Sequence, residues 1–216
     1  SLLITRERNA VPIQDSAAPI RDRIGNTIGA VMVFHDVSKE SRLFRKLSYQ
    51  ASHDTLTGLI NRREFENRLV TALDSAHNNP GHVHALLYLD LDQFKVVNDT
   101  FGHNAGDELL RQIAELVQAN IRSTDVVARL GGDEFGILLE RCSEERALDV
   151  AEAIRSAIEA HRFTWKQAFT SARCSIGVVM VTNESPDVAN LMSYADVAAA
   201  AHDVLVKWVA RITRAV

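Results

Sequence analysis

Two neighbouring acids, Asp133 and Glu134, directly follow a pair of glycines at positions 131 and 132. Short apolar runs flank this group, from Val126 to Leu130 and from Phe135 to Leu139, and two such runs joined by a glycine-containing turn predict a β-hairpin. Glycine permits backbone angles closed to other residues and keeps no side chain between the backbone and a ligand. Adjacent side chains point to different sides of a strand, so one carboxylate can bind a metal ion while the other faces elsewhere.

A second source of carboxylates lies earlier in the chain, at the end of the run from Val83 to Asp92. This run is apolar on both faces, which is typical of a central strand covered on both sides. Asp90 and Asp92 stand at its end, where ligands approach a sheet that is flanked by helices. Both are therefore candidate functional acids, and Asp92 is the weaker candidate, with a structural or outer-shell role as the alternative.

The string Gly131-Gly132-Asp133-Glu134-Phe135 resembles the signature of the GGDEF family. Members of this family are diguanylate cyclases, which join two GTP molecules into cyclic di-GMP. Residues 54–63, DTLTGLINRR, match the family motif D-x-L-T-G-L-x-N-R-R at every fixed position, and the spacing of LDLDQFKVVND, GHNAGDELL and RLGGDEF matches as well. The resemblance implies an α/β sandwich like that of nucleotidyl cyclases and polymerase palms, with a mainly antiparallel central sheet flanked by helices.

The same resemblance implies the catalytic residues, which are Asp90, Asp133 and Glu134. Asp90 and Asp133 would bind Mg²⁺, or alternatively Mn²⁺, through their carboxylates, with the Leu91 carbonyl as a third ligand. Glu134 would lie near the attacking hydroxyl or a second metal ion. Joining a 3′-hydroxyl to an α-phosphate depends on positioning and on neutralising phosphate charge, for which Mg²⁺ is the usual ion.

Four further residues correspond to the family's substrate-binding positions. Asn98 and Asp107 would read guanine, since a carboxylate accepts hydrogen bonds and an amide donates or accepts them. Phe94 and Lys95 match phosphate-side positions, although a core aromatic and a surface lysine are equally open interpretations. Arg122 and Asp125 have the spacing to the glycine pair of the family's inhibitory site and are predicted to bind the product, cyclic di-GMP.

The chain departs from the family near its C-terminus. Asp203 stands where the family has a triphosphate-binding lysine, and Lys207 replaces an arginine. A carboxylate facing a phosphate is repulsive, so weak or absent turnover is an alternative prediction. In that alternative the domain binds GTP or cyclic di-GMP and regulates an attached domain.

Three segments are predicted. Residues 1–37 resemble the C-terminal strands of a PAS sensor domain, residues 38–53 form a linker helix, and residues 54–216 form the GGDEF domain. The linker helix either docks on its own domain or pairs with its twin in a short coiled coil, and too few heptads are present to decide. The GGDEF segment is predicted to contain helices over 62–77, 107–121 and 144–160, a strand over 170–181 and a last helix from Pro186.

Composition restricts the class of protein further. The net charge of -4 argues against non-specific nucleic-acid binding. No apolar run reaches the roughly 20 residues of a membrane helix, and the two cysteines lack metal-binding spacing, so we expect a cytoplasmic protein with reduced thiols. The chain opens on Ser1, which suggests a fragment whose parent protein is attached to a membrane or free. The expected partners are GTP, cyclic di-GMP and a second copy of the chain.

Overall fold

The computed structural model describes residues 1–6, 8, 10–79, 81–166 and 168–200. Two compact units divide the chain, Ser1–Ala51 and Ser52–Val216. Asp203 and Lys207, on which the prediction of weak turnover rests, lie outside the described residues. None of the helices in the described ranges has the length and apolar character needed to cross a membrane.

The first unit is a three-stranded antiparallel sheet followed by a helix. Its strands β1 (Leu2–Ile4), β2 (Ala10–Arg21) and β3 (Thr27–Asp36) are ordered β1-β2-β3, and α1 spans Ser38–Ser52. The turn between β2 and β3 is held by Asp22, whose Oδ1 accepts hydrogen bonds from the backbone N–H groups of Ile24 and Asn26 at 2.9 Å each. Four consecutive apolar residues near the end of β3 are exposed: Val31, Met32, Val33 and Phe34.

The second unit is built on a five-stranded sheet. Its strands are β4 (Ile60–Asn61), β5 (His84–Leu91), β6 (Val126–Gly131), β7 (Glu134–Leu139) and, beyond a separate hairpin of β8 (Arg162–Trp165) and β9 (Ala168–Ser171), β10 (Cys174–Val181). The order is β10-β5-β7-β6-β4, and every pairing is antiparallel except that of β4 with β6. The mainly antiparallel α/β sandwich expected from the sequence is therefore confirmed.

Helices cover both faces of this sheet. They are α2 (Arg62–Asn78), α3 (Phe94–Phe101), α4 (His103–Ala119), α5 (Glu144–Ala160) and α6 (Val188–Ala200). The sheet has a hydrophobic core on each face, and alternate residues of β5 contribute to both. Leu87 and Leu89 pack with α4 and α5 in one core. Leu86 and Tyr88 pack with α2 and α6 in the other. Each fully buried leucine contributes about 1.5–3 kcal/mol of transfer free energy, so this double burial fixes β5 at the centre.

Local sequence signals explain where two helices begin. The Asn61 side chain caps α2 by accepting from the Glu64 N–H at 3.0 Å, and Ser143 caps α5 by accepting from the Arg146 N–H at 3.4 Å. The sequence did not predict α3, which has only eight residues and buries none of them fully. It also placed the start of α4 at Asp107 rather than His103, and it missed the β8–β9 hairpin by extending one strand back to Thr170.

Candidate active site

Three acids converge at one end of the central sheet. Asp90 lies near the end of β5 and pairs in register with Glu134, the first residue of β7, while Asp133 immediately precedes that strand. The turn before Asp133 needs glycine, because Gly131 and Gly132 have φ angles of 154° and 52°. Antiparallel pairing of β5 with β7 thus brings together acids that are more than forty positions apart in the sequence.

The electrostatics of this end of the sheet are strongly negative. The pKa of Asp90 is raised to about 6, first by partial burial and then by the charges of Asp133, Glu134, Asp92 and Asp196. Burial also raises the pKa of Tyr88, and its side-chain hydrogen bond to Glu134 adds to the shift. A cation would relieve the repulsion among these carboxylates, which makes the cluster a candidate metal site.

The donor set fits a hard cation better than zinc. Within the described part of the chain, no group of three or more His, Cys, Asp or Glu side chains could hold a metal ion by itself. Mg²⁺ does not need such a group, because it binds one or two carboxylates together with water and substrate phosphate oxygens. Asp90 and Asp133 provide those carboxylates, and the Leu91 backbone is adjacent to Asp90. The prediction of Asp90, Leu91 and Asp133 as metal ligands stays a prediction.

Arg129 holds the glycine turn in place. Its Nε and Nη2 atoms donate to the Gly132 carbonyl oxygen at 3.0 and 2.7 Å, and its Nη1 lies 3.3 Å from both carboxylate oxygens of Asp54. Asp54 is itself fixed, since its Oδ1 accepts from the Thr57 N–H at 2.9 Å and from the Thr57 hydroxyl at 2.7 Å. One guanidinium therefore joins the Asp54 turn to the backbone that carries Asp133.

Asp92 is hydrogen-bonded to residues at and just before the start of β10. Its Oδ1 accepts a hydrogen bond from the Ser175 hydroxyl at 2.9 Å, and its backbone N–H donates to the Arg173 carbonyl at 2.9 Å. Both contacts tie the end of β5 to β10. This geometry agrees with the interpretation of Asp92 as a structural acid.

The four predicted substrate-binding residues lie on α3 and α4, which directly follow β5. Asn98 and Asp107 are half-buried, Lys95 is exposed, and the half-buried Phe94 packs against the core. Asn98 and Phe94 lie one helical turn apart and both face Gly106 of α4. The structure thus places Asn98 and Asp107 on adjoining helices, as a shared base pocket requires, while a phosphate role for Phe94 and Lys95 stays a prediction.

The predicted product site borders a cavity of about 590 Å³. Arg122 and Asp125 line it together with Arg68 of α2 and His53. Asp125 is oriented by two backbone donors, since its Oδ2 accepts from the Arg122 N–H at 3.0 Å and its Oδ1 from the Glu140 N–H at 3.3 Å. Arg122 itself is exposed, so its guanidinium is accessible to a ligand.

Sequence reasoning missed four residues that the structure adds to these sites: Tyr88, Arg129, Asp196 and Arg68. Tyr88 was accessible to prediction, because it precedes Asp90 by two positions and alternation puts both on one face of β5. For Arg129, the only signal in the sequence was a charged residue within an otherwise apolar strand. Asp196 and Arg68 gave no local signal, because only the packing of α6 and α2 brings them to these sites.

The sequence matches a known protein family and curated proteins of other bacteria. Residues 51–202 match the family described as "Diguanylate cyclase, GGDEF domain". The probable diguanylate cyclase DgcE of Escherichia coli is 42% identical over 197 residues, 91% of this chain and 18% of DgcE. The cyclic di-GMP phosphodiesterase PdeB of Shewanella oneidensis is 35% identical over 146 residues, 68% of this chain and 16% of PdeB. The chain therefore spans a minor part of both curated relatives.

A solved structure with the same fold is the coiled coil and GGDEF domain of DgcB from Caulobacter crescentus, in complex with c-di-GMP. Its TM-score is 0.70 at 26% identity, covering 76% of this chain and 87% of that chain. The fold is thus shared with a protein whose solved structure contains c-di-GMP.

Proposed function

Because the chain belongs to the GGDEF diguanylate cyclase family, we propose that it condenses two GTP molecules into cyclic di-GMP and two pyrophosphates. The observation that carries this proposal is the convergence of Asp90, Asp133 and Glu134 at the joined ends of β5 and β7, with the pKa of Asp90 raised by burial and by its acidic neighbours. Such a cluster is suited to a cation and to triphosphate chemistry.

In each of the two steps, the 3′-hydroxyl oxygen of one GTP attacks the α-phosphorus of the other. A phosphorus–oxygen bond forms, the bond to the bridging β-phosphate oxygen breaks, and pyrophosphate leaves with its electron pair. The proton that the hydroxyl loses passes to the Glu134 carboxylate, which lies beside Asp133 and accepts a hydrogen bond from Tyr88. Asn98 and Asp107 hold the guanine, and each subunit of a homodimer presents one GTP.

Asp90 and Asp133, with the Leu91 carbonyl, would hold Mg²⁺ or Mn²⁺. The ion would neutralise charge on the phosphate oxygens, where the transition state accumulates it. Phe94 and Lys95 would lie on the phosphate side. The remaining contribution of the chain is to keep the two nucleotides aligned, which is the larger part of catalysis in phosphoryl transfer.

The direct test is incubation with GTP and Mg²⁺ followed by nucleotide separation. We expect Asp133→Ala to abolish Mg²⁺-dependent turnover and to leave the fold intact, because the side chain is half-buried in a turn and little packing is lost. Asp149→Ala, which removes an exposed carboxylate on α5, is the matched control and should retain activity. Retained turnover in Asp133→Ala would exclude Asp133 as a metal ligand.

We also propose that Arg122 and Asp125 bind cyclic di-GMP at the 590 Å³ cavity. Guanidinium groups recognise phosphate and the Hoogsteen edge of guanine, and Arg68 adds a second one to the lining. Asp125 retains acceptor capacity for the base, since each oxygen of a carboxylate accepts about two hydrogen bonds. Product bound there regulates the enzyme from a surface that the three catalytic acids do not line.

For the first unit we propose the C-terminal strands of a PAS sensor domain. The observation in favour is a three-stranded antiparallel sheet that ends in an exposed apolar stretch, Val31 to Phe34, which a larger sheet domain would cover. Leu43, Phe44 and Leu47 of α1 are also exposed, as a helix that pairs with its twin requires. Docking of α1 on its own domain and pairing of α1 with its twin in a coiled coil are the two alternatives for this helix.

A regulatory module without turnover is the second candidate function. One observation favours it: PdeB, a relative named for a phosphodiesterase activity, contains a segment 35% identical to this chain. In a protein of that kind the domain would bind GTP or cyclic di-GMP and control an attached domain. Binding of GTP in calorimetry with no product after incubation with Mg²⁺ would identify this function.

A further inference from the structure

Gly106, in the first turn of α4, is buried against the side chains of two residues on α3. A methyl group at this glycine would overlap the Asn98 Oδ1 atom and would lie only 2.9 Å from Asn98 Cγ and 3.0 Å from Phe94 Cζ. The Asn98 amide therefore occupies the space that any other residue at position 106 would need for its Cβ atom.

The consequences for folding and for ligand binding are different. The obstructing atom belongs to the end of an asparagine side chain, which can rotate away at little cost to the fold. Alanine also favours helix more than glycine does, because it restricts the unfolded chain. The amide, however, would leave the position and orientation that it has now, and a hydrogen bond to a base depends steeply on both.

We infer that Gly106 is a positioning residue for guanine recognition: the missing side chain sets where the Asn98 amide lies relative to Asp107. This inference rests on the proposed function of Asn98 and Asp107 as the groups that read the base. Neither side chain has a hydrogen-bond partner among the described residues, so both are open to a ligand. Gly106 directly precedes Asp107. The same turn of α4 therefore contacts the Asn98 side chain through Gly106 and carries Asp107.

Gly177 provides a matched contrast. It lies on β10 against α6, where a Cβ atom would overlap the Ala195 carbonyl oxygen and would lie 2.6 Å from the Ala199 backbone nitrogen. Backbone atoms of a packed helix cannot rotate away. Gly177→Ala should therefore lower the melting temperature, whereas Gly106→Ala should leave it unchanged or raise it.

The experiment compares Gly106→Ala, Asn98→Ala and their double variant with the unchanged chain. Melting temperatures and GTP dissociation constants are measured at fixed Mg²⁺, and Gly177→Ala serves as the reference for a disturbed fold. We expect Gly106→Ala to raise the GTP dissociation constant about threefold to tenfold, the equivalent of one displaced hydrogen bond. In the Asn98→Ala background the same change should have no further effect, because the amide that it displaces is absent.

Three results would overturn the inference. A loss of GTP binding that is accompanied by a fall in melting temperature like that of Gly177→Ala would make Gly106 a structural residue. Unchanged GTP affinity in Gly106→Ala, with weakened affinity in Asn98→Ala, would refute the positioning role and leave the base pocket standing. Unchanged affinity in Asn98→Ala itself would refute the base-reading role, and the inference would fail with that part of the proposed function.

Discussion

Asp90 is an acid of the candidate site whose pKa is raised by burial and by the neighbouring carboxylates. Its carboxylate lies at the end of a central strand and is surrounded by the charges of Asp133, Glu134, Asp92 and Asp196. Without a cation, burial and these charges disfavour the ionised form of Asp90, and its pKa is raised to about 6. The contribution of Asp90 to the stability of the metal-free protein should therefore depend on pH in a defined direction.

We predict that the contribution of Asp90 to the stability of the metal-free protein falls as pH rises from about 4 to about 6. An ordinary aspartate in the unfolded chain has a pKa of about 3.9, so in this interval unfolding releases a proton that the folded state still holds. The contribution is fully present below the unfolded pKa and is lost as pH rises through the folded pKa of about 6. Thermal unfolding in a chelator across this range measures it.

Asp90→Asn is the control for this titration, since it removes the group and keeps the shape of the side chain. The variant should lack the loss of stability between pH 4 and 6 and should be more stable than the unchanged protein at pH 7. Millimolar Mg²⁺ should stabilise the unchanged protein and have less effect on the variant. Identical pH profiles for the two proteins would contradict the raised pKa of Asp90.

The second prediction for a single residue concerns Arg122. Arg122→Ala should weaken the binding of cyclic di-GMP by about 2 kcal/mol or more in calorimetry, as expected for a charge-assisted hydrogen bond. Arg111→Ala removes an exposed arginine on α4 that pairs with Glu108 at 3.1 Å, and this control should bind as the unchanged protein does. Equal affinity in all three proteins would place the product elsewhere.

At the scale of secondary structure, the connection between the Asp54 turn and the β6–β7 hairpin is the feature with the clearest consequence. Arg129 makes it through two hydrogen bonds to the Gly132 carbonyl and an ion pair with Asp54. Both side chains of the pair are largely buried, with 15% and 23% of their areas exposed. The orientation of the turn that carries Asp133 therefore depends on a residue of β6 outside the cluster of acids.

We predict that Arg129→Met lowers GTP turnover between about tenfold and a hundredfold, the range in which a small displacement of catalytic groups acts. The retained aliphatic part of the side chain limits the loss of packing. Arg155→Met is the matched control, because it also removes an arginine with two partners. These are the carboxylates of Glu152 at 2.7 Å and Glu159 at 2.8 Å, and they lie on the surface of α5. Equal turnover in both variants would show that the turn holds its shape without Arg129.

At the scale of the molecule, the proposed reaction needs more than one chain. The described residues provide one proposed base pocket, from Asn98 and Asp107, and one carboxylate cluster, while the proposed product contains two guanosine units. The proposal that each subunit presents one GTP therefore ties turnover to association. The exposed apolar residues of α1, Leu43, Phe44 and Leu47, provide one surface on which two copies would associate.

We predict that turnover per chain rises with protein concentration and levels off when dimerisation is complete, as mass action requires. Initial rates at saturating GTP across the dissociation range, together with sedimentation of the same samples, measure both quantities. Leu47→Lys should shift the curve to higher concentration if α1 pairs with its twin. Turnover per chain that is constant across the dissociation range would contradict the dimeric mechanism.

The sequence by itself determined the family, the mainly antiparallel α/β sandwich and the residue types of the site. These follow from local patterns, because glycines at 131 and 132, alternating apolar runs and caps such as Asn61 act within a few residues. Helix α5 was predicted over the same residues that the structure shows, since its apolar periodicity and its Ser143 cap agree. The residues proposed for metal, base and product were implied by the resemblance to the family.

Only the tertiary structure decided which side chains surround those residues. Pairing of β5 with β7 set Asp90 opposite Glu134, and the packing of α6 added Asp196 to the same field. The bond from Arg129 to Asp54, 75 positions away, and the fit of Asn98 against Gly106 also depend on packing between elements. Such contacts leave no periodic or compositional trace, because each partner alone is an ordinary residue of its strand or helix.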